Sequence, residues 1–442
     1  MVTSAIEQRV MAEIEQRTDE LVALTAELIG FDTTTRDGLG AAPRQEVALQ
    51  QYLAARLRKA GATVEVWEPR LEDFRGGRQI PPGLSFEGYP QLLARWRGAG
   101  DGRSLLLNGH IDVVTAEPRE AWTTDPFQAQ VRDGRVVGRG ACDMKGGVAA
   151  MVFAAEVLAA VGVELAGDLL LNTVTDEEST SAGGVASVLH GVRADAGIVP
   201  EPTGLRIGVA NRGSLMPTIR VPGRSGHAGY TQPHWLEGGA VSATEKAAVL
   251  LAAVPALRQE WREHPAHRHP YLNAGDVVAT TIVGGEWDVT YPAECRITCH
   301  LTYLPQHADE AGYGGRVKSD FESWVDRVAQ ADPWLASHPP VVEWAPCDVP
   351  PSGVATDAPV VTALADASRD CGYEPQLFGT DFWYDGATFT NLGSTPTVAY
   401  GPGSGEIAHT VDEFVPVAEL VTCAQTLAVT AMRFCGLSPS TD

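Results

Sequence analysis

The chain lacks any basic run: across 442 residues Lys and Arg total 33 against 56 Asp and Glu, giving a formal net charge of −23. Such a surface repels a phosphate backbone, which excludes nucleic acid as a partner class. Hydrophobic residues are 44% and charged residues 20%, an ordinary globular composition that argues against disorder and membrane spans. There is no CxxC pair among the seven cysteines, and Cys295 and Cys299, four apart, have no second pair to complete a structural zinc site. Reduced core thiols and a cytoplasmic location are expected instead. The first thirty residues show no basic start, apolar core and small-residue cleavage site. Their apolar residues recur at helical spacing from Ala5 to Ile29, which predicts an amphipathic first helix.

What is present is an alternation of helical and strand patterns. Apolar runs such as SLLLNGH, DLLLNTVTDE and AGIVPE suit strands buried on both faces, and helical spacings separate them, at 144–161 and 181–190 among others. This order predicts an α/β fold with an open, mostly parallel sheet and ligands gathered outside the carboxyl ends of its strands. From residue 214 the pattern changes to strand, helix, strand, strand, helix and short strand. That is read as an inserted α+β domain over 214–346, with 1–213 and 347–442 forming the two parts of the first domain.

Acids and histidines stand at the strand ends: His110 and Asp112 in GHIDVV, Asp143 in GRGACDMKGG, Glu177 and Glu178 in TVTDEEST, Glu201 in VPEPTG, and His409 in AHTVDEF. Neutral imidazoles and carboxylates suit Zn²⁺, Mn²⁺ or Co²⁺, and more than one metal's worth of ligands points to a two-metal hydrolytic centre. A set divided between Glu201 and His409 closes only if the chain returns to the first domain, so the second domain is an insertion. Two residues apart on a strand, His110 and Asp112 share a face, which predicts that the Asp112 carboxylate accepts the imidazole N–H not used for metal. Of the adjacent glutamates one is expected on metal and the other, Glu177, free to shuttle a proton.

Together these motifs, with GRSGHAG, GTD and GPG in the same order, resemble the cocatalytic zinc aminoacylases and exopeptidases that include acetylornithine deacetylase, succinyl-diaminopimelate desuccinylase and the glutamate carboxypeptidases. The resemblance spans nearly the whole chain and is nearer to the deacetylase branch. It implies two zinc ions, with cobalt or manganese as substitutes: Asp143 bridging, His110 and Glu201 on one metal, Glu178 and His409 on the other. It also implies Asp112 as the partner behind the ligands, Glu177 as general base, and a cis bond after Asp143. The insertion resembles the family's lid, which is also its homodimerisation surface, and places His227 where the family has a histidine reaching the partner subunit's site.

Asn273 is a candidate for the oxyanion region, with an ordinary turn asparagine as the other reading. Thr380 and Asp381 resemble the family's substrate loop, and the turn at Gly403 could offer backbone donors to a substrate. Where many relatives carry an arginine for the substrate's α-carboxylate, this chain has Thr302. The expectation is therefore a homodimeric amidohydrolase that removes a small N-acyl group from a small molecule. A dipeptidase or carboxypeptidase is the second enzyme reading, and a metal-bound binding module the reading of another class.

Overall fold

The computed structural model describes residues 3–36, 42–74, 80, 81 and 83–438. The chain divides into two compact units: Met1–Ala210, Gly353–Thr380 and Tyr384–Asp442 form the first, and Asn211–Ser352 with Asp381–Trp383 the second.

In the first unit the strands Leu105–His110, Leu169–Val174, Ala196–Val199 and Thr397–Ala399 form the parallel centre of a nine-stranded sheet. Every residue of these four strands is buried, which is why the sequence shows continuous apolar runs there rather than alternation. Gln91–Trp96 and Thr63–Trp67 add antiparallel on one side and Ile207–Asn211 on the other, so the sheet is mixed with a parallel core. Register puts His110 opposite Val174 and Leu107 opposite Ile198, so these strands end at one edge. Residues just past those ends are thereby gathered in one place.

The helix Lys145–Val161 begins two residues after Asp143 and is buried over most of its length. A Cβ on Gly147 would stand 2.0 Å from the Pro200 carbonyl oxygen, so only glycine lets the first turn of this helix pack against the segment carrying Glu201. At the N-terminus the expected single helix is two, Ala5–Gln16 and Thr18–Ile29, parted at Arg17. Ser4 and Glu7 close a capping box on the first of them.

The second unit is a four-stranded antiparallel sheet, ordered Asp276–Gly284, Glu294–Tyr303, Gly213–Pro222, Val341–Val349, with the helices Ala243–Glu263 and Gly315–Ala329 packed on it. Ile219, Leu250, Ile297, Leu301, Phe321 and Trp324 meet in its core. Its chain limits run a few residues beyond 214–346 because Val349 still pairs with Ser214. Asp381 also belongs to this unit, through an ion pair with Arg212 at 3.1 Å and a hydrogen bond from Asn273 Nδ2 at 2.7 Å.

Candidate metal centre

The strand Leu105–His110 delivers His110 to the sheet edge. Its Nδ1 lies 2.9 Å from the backbone oxygen of Asp112, which assigns the proton to Nδ1 and turns Nε2 toward Asp143 Oδ1 at 3.1 Å. Asp143 presents its other oxygen to His409 Nε2 at 3.3 Å, so one carboxylate stands between two imidazoles. Glu178 Oε2 is 3.2 Å from the same His409 nitrogen, while its buried Oε1 has no hydrogen-bond partner. Ligand atoms of His110, Asp143 and Glu178 all lie within 4.8 Å of one another. The Asp143–Met144 peptide is cis.

Glu177 and Glu178 open a single helical turn, Glu177–Thr180, behind Asp176 in the left-handed region at φ +67°. Glu177 is 5% exposed and its Oε2 is 3.9 Å from His110 Nε2. Glu201, two residues past its strand, is also buried, and its charge acts on His110, Asp143, Glu177 and Glu178.

One expectation is corrected. Leu105–His110 ends at its histidine, so Asp112 lies in a loop and strand alternation does not apply to it. The imidazole takes the Asp112 backbone carbonyl, with the carboxylate 3.7 Å away. That carboxylate instead accepts the backbone N–H of Glu177 at 3.2 Å and of Glu178 at 3.1 Å.

The charge balance is lopsided. Asp112, Asp143, Glu177, Glu178, Glu201 and Asp385 face two imidazoles. Burial pushes Glu177 and Glu201 well up, and burial with the nearby Asp143 charge takes Glu178 to about 7. Burial would push His110 down, but its hydrogen bond to Asp143 and the charges of Glu177 and Glu201 hold it well above the usual imidazole range. Hydrogen bonds to Asp143 and Glu178 raise His409 to about 10. Such an excess of buried carboxylates calls for positive charge, and the oxygen- and nitrogen-only donor set with an orphaned Glu178 oxygen fits hard or borderline divalent metals.

A model of peptidase family M20/M25/M40 matches residues 106–433, the stretch that holds every one of these groups. The chain belongs to this family. It is a hydrolase of amide bonds. It is 28% identical to an N-formyl-4-amino-5-aminomethyl-2-methylpyrimidine deformylase of Halalkalibacterium halodurans, over 99% of both chains. An acetylornithine deacetylase of Myxococcus xanthus is 32% identical over 95% of this chain and 99% of its own. The fold matches a dinuclear metal-binding M20 peptidase of Bacillus subtilis at a TM-score of 0.60 and 16% identity, covering 94% of this chain and 98% of the other.

In this M20 chain the other expected contacts are placed as follows. Thr380 is buried in the first unit, its hydroxyl 3.5 Å from the Ala210 carbonyl. The Gly403 N–H is taken by Glu419 at 2.8 Å, and the turn it makes at φ +81° lies against Cys142. In the second unit Asn273 and Asp381 bond to each other. His227 is exposed, with Nδ1 accepting the Gly229 N–H at 2.9 Å.

Three groups were not singled out in the sequence. Glu413 is fully buried, pairs with Arg139 at 2.5 Å, and accepts the N–H groups of Cys142 and Asp143 at 2.9 and 3.1 Å, so it holds the turn that aims Asp143. Asp385 is 1% exposed with no well-aligned partner at either oxygen, beside the buried Ser181 hydroxyl, and burial pushes it up to about 7. All three lie inside recognised motifs, AHTVDEF, GRGACDMKGG and FGTDFWYDG. Their positions were in view, but nothing in spacing marks a carboxylate that receives backbone N–H groups.

Proposed function

We propose that the chain is a cytoplasmic two-zinc N-deacylase that removes a formyl, acetyl or succinyl-type group from a small amine or amino-acid-like metabolite. The observation that carries this reading is the buried Glu177 standing 3.9 Å from His110, beside a carboxylate that faces two imidazoles. His110 and Glu201 would hold one metal, Glu178 and His409 the other, with Asp143 common to both. Bound dications supply Lewis-acid polarisation of the acyl carbonyl and acidify water.

The chain's own groups do the rest. Glu177 takes the proton of the attacking water and returns it to the leaving nitrogen, which departs as a neutral amine. Asp112 fixes both glutamates through their backbone N–H groups. Glu413 and Arg139 fix the Asp143 turn. His227, on the second unit, would reach the site of a partner subunit and stabilise the developing oxyanion through Nε2.

Homodimerisation through the second unit is supported by its edge strand Asp276–Gly284, where Ile282 and Val283 are 56% and 67% exposed, with Trp287 at 72% just beyond. Seven free cysteines support the cytoplasmic location. A substrate without an α-carboxylate fits the arginines of the second unit: Arg296 is paired with Glu343 and Glu294, and Arg212 with Asp381. Buried Thr302 receives the Asp276 N–H at 3.1 Å.

The test is metal analysis by mass spectrometry together with hydrolysis of a panel: the N-formyl aminopyrimidine of the first relative, acetylornithine, N-succinyl amines and dipeptides, each with and without chelator. About two zinc ions per chain and chelator-sensitive release of an acyl group are expected. Cleavage of dipeptides alone would move the reading to an exopeptidase. Absence of metal and of turnover after zinc is restored would leave a binding module.

A further inference from the structure

Asp176, immediately before the two glutamates, is gripped from a distant part of the chain. Its Oδ1 is 2.8 Å from Nε of Arg36, and the two side chains are only 2% and 3% exposed. The guanidinium lies 3.8 Å over the ring of Tyr89 and donates from Nη1 to the Ser85 carbonyl at 2.7 Å. The second Asp176 oxygen accepts the Thr180 hydroxyl at 2.7 Å, across the single turn that carries Glu177 and Glu178. Asp176 has φ +67°, a left-handed conformation that costs most L residues and that Asp tolerates better than most.

The four-residue turn Glu177–Thr180 is too short to keep its own direction, since so few intrahelical bonds define it. Two anchors define it instead. Asp112 takes the N–H groups of Glu177 and Glu178 from one side. Arg36, through Asp176 and Thr180, holds the peptide that enters it. A guanidinium suits this task because its planar fork can stack on an aromatic ring while donating in fixed directions.

We infer that Arg36 is a positioning residue for the general base: the Arg36–Asp176 pair holds the left-handed Asp176 peptide in the geometry that aims Glu177 at the reacting atoms. This rests on the proton-shuttle role proposed above for Glu177. Neither residue is among those that would hold metal. Loss of the pair therefore lowers turnover per metal-loaded molecule without a matching change in substrate affinity or metal content.

The experiment compares Arg36→Met, Arg36→Lys and the charge-neutral double variant Arg36→Gln/Asp176→Asn with the parent and with Glu177→Gln. The readouts are kcat and KM on the N-formyl aminopyrimidine, bound zinc and thermal melting. Arg36→Met is expected to lower kcat roughly 10- to 100-fold, the range typical of groups that orient active-site residues, with KM within about threefold and zinc near the parent value. Arg36→Lys should recover part of that loss because it keeps the charge on Asp176.

The double variant leaves no buried charge unpaired, so it stays informative if Arg36→Met does not fold. It should show the same kcat defect. Near-parent kcat per zinc-loaded molecule in the double variant, or a loss explained wholly by lost zinc or melting, overturns the inference. Near-parent activity of Glu177→Gln would instead remove the proposed general base itself. An inactive Glu177→Gln beside an active double variant removes only the role of Arg36.

Discussion

The Asp112 carboxylate receives the backbone N–H of Glu177 at 3.2 Å while its backbone carbonyl receives the His110 imidazole at 2.9 Å. One residue thereby sets the tautomer of a histidine on one strand end and the position of a glutamate on another. A carboxylate accepts at both oxygens, so it can serve Glu177 and Glu178 together, which a single amide oxygen cannot do in this geometry.

Asp112→Ala should therefore leave the His110 contact largely intact, because that contact uses the backbone, and should loosen the glutamates. The expected result is kcat lower by roughly 10- to 100-fold, with the Glu178 side of the metal set weakened more than the His110 side. Zinc titration would show one of two binding steps moved to higher concentration. Equal weakening of both steps, or neither, would contradict this division of labour.

Much of the candidate centre was legible in the sequence because the acids and histidines that gather there follow strand ends, which carry their own markers. GHIDVV, DEEST and VPEP each follow a continuous apolar run, and buried parallel strands deliver whatever comes next to one edge. Asp112 was misread because spacing of two implies a shared face only while the strand lasts, and this strand stops at His110. Arg36 and Glu413 make buried pairings with segments far apart in the chain, and Asp385 is buried at a position no spacing marks; local pattern carries no information about such placements. The break at Arg17 likewise falls within an unbroken helical periodicity.

Removal of metal should make stability sensitive to pH in a definite direction. Glu178 is pushed up to about 7 and His409 to about 10, and Glu177 and Glu201 are raised as well. A group whose folded value is raised stabilises the fold fully below its unfolded value, near 4.3 for Glu and 6.5 for His. That contribution is lost as pH rises through the folded value. The chelated protein is therefore expected to lose stability from pH 6 to pH 8, whereas dications hold the same carboxylates ionised and spare the loaded protein. Melting temperatures of chelated and zinc-loaded samples should diverge over that interval. A constant gap would contradict the charge balance described for the cluster.

Glu413 offers a test of stability rather than chemistry. Its ion pair with Arg139 is buried on both sides, at 0% and 3% side-chain exposure. Removing one partner leaves an uncompensated charge, so Glu413→Ala should cost about 3–5 kcal/mol in folding free energy. Because Glu413 also receives the Asp143 N–H, zinc affinity should fall in the same variant. Unchanged denaturant midpoint and unchanged zinc affinity together would refute the role.

Subunit mixing addresses the histidine on the second unit. Glu177→Gln should retain near-normal zinc and lose at least about 10³ in kcat, the scale of a lost general base with its water. His227→Ala should lose activity with metal intact, since its ring stands exposed in the second unit and its Nδ1 bonds only to Gly229 there. If each site draws its base from one subunit and its His227 from the other, a mixed dimer contains one site with both residues native. Mixing the two inactive variants should then restore roughly a quarter of parental activity once exchange is complete, because half the dimers are mixed and each has one intact site of two. If each site used its own subunit's histidine, every site in every dimer would carry one of the two lesions and mixing would restore nothing.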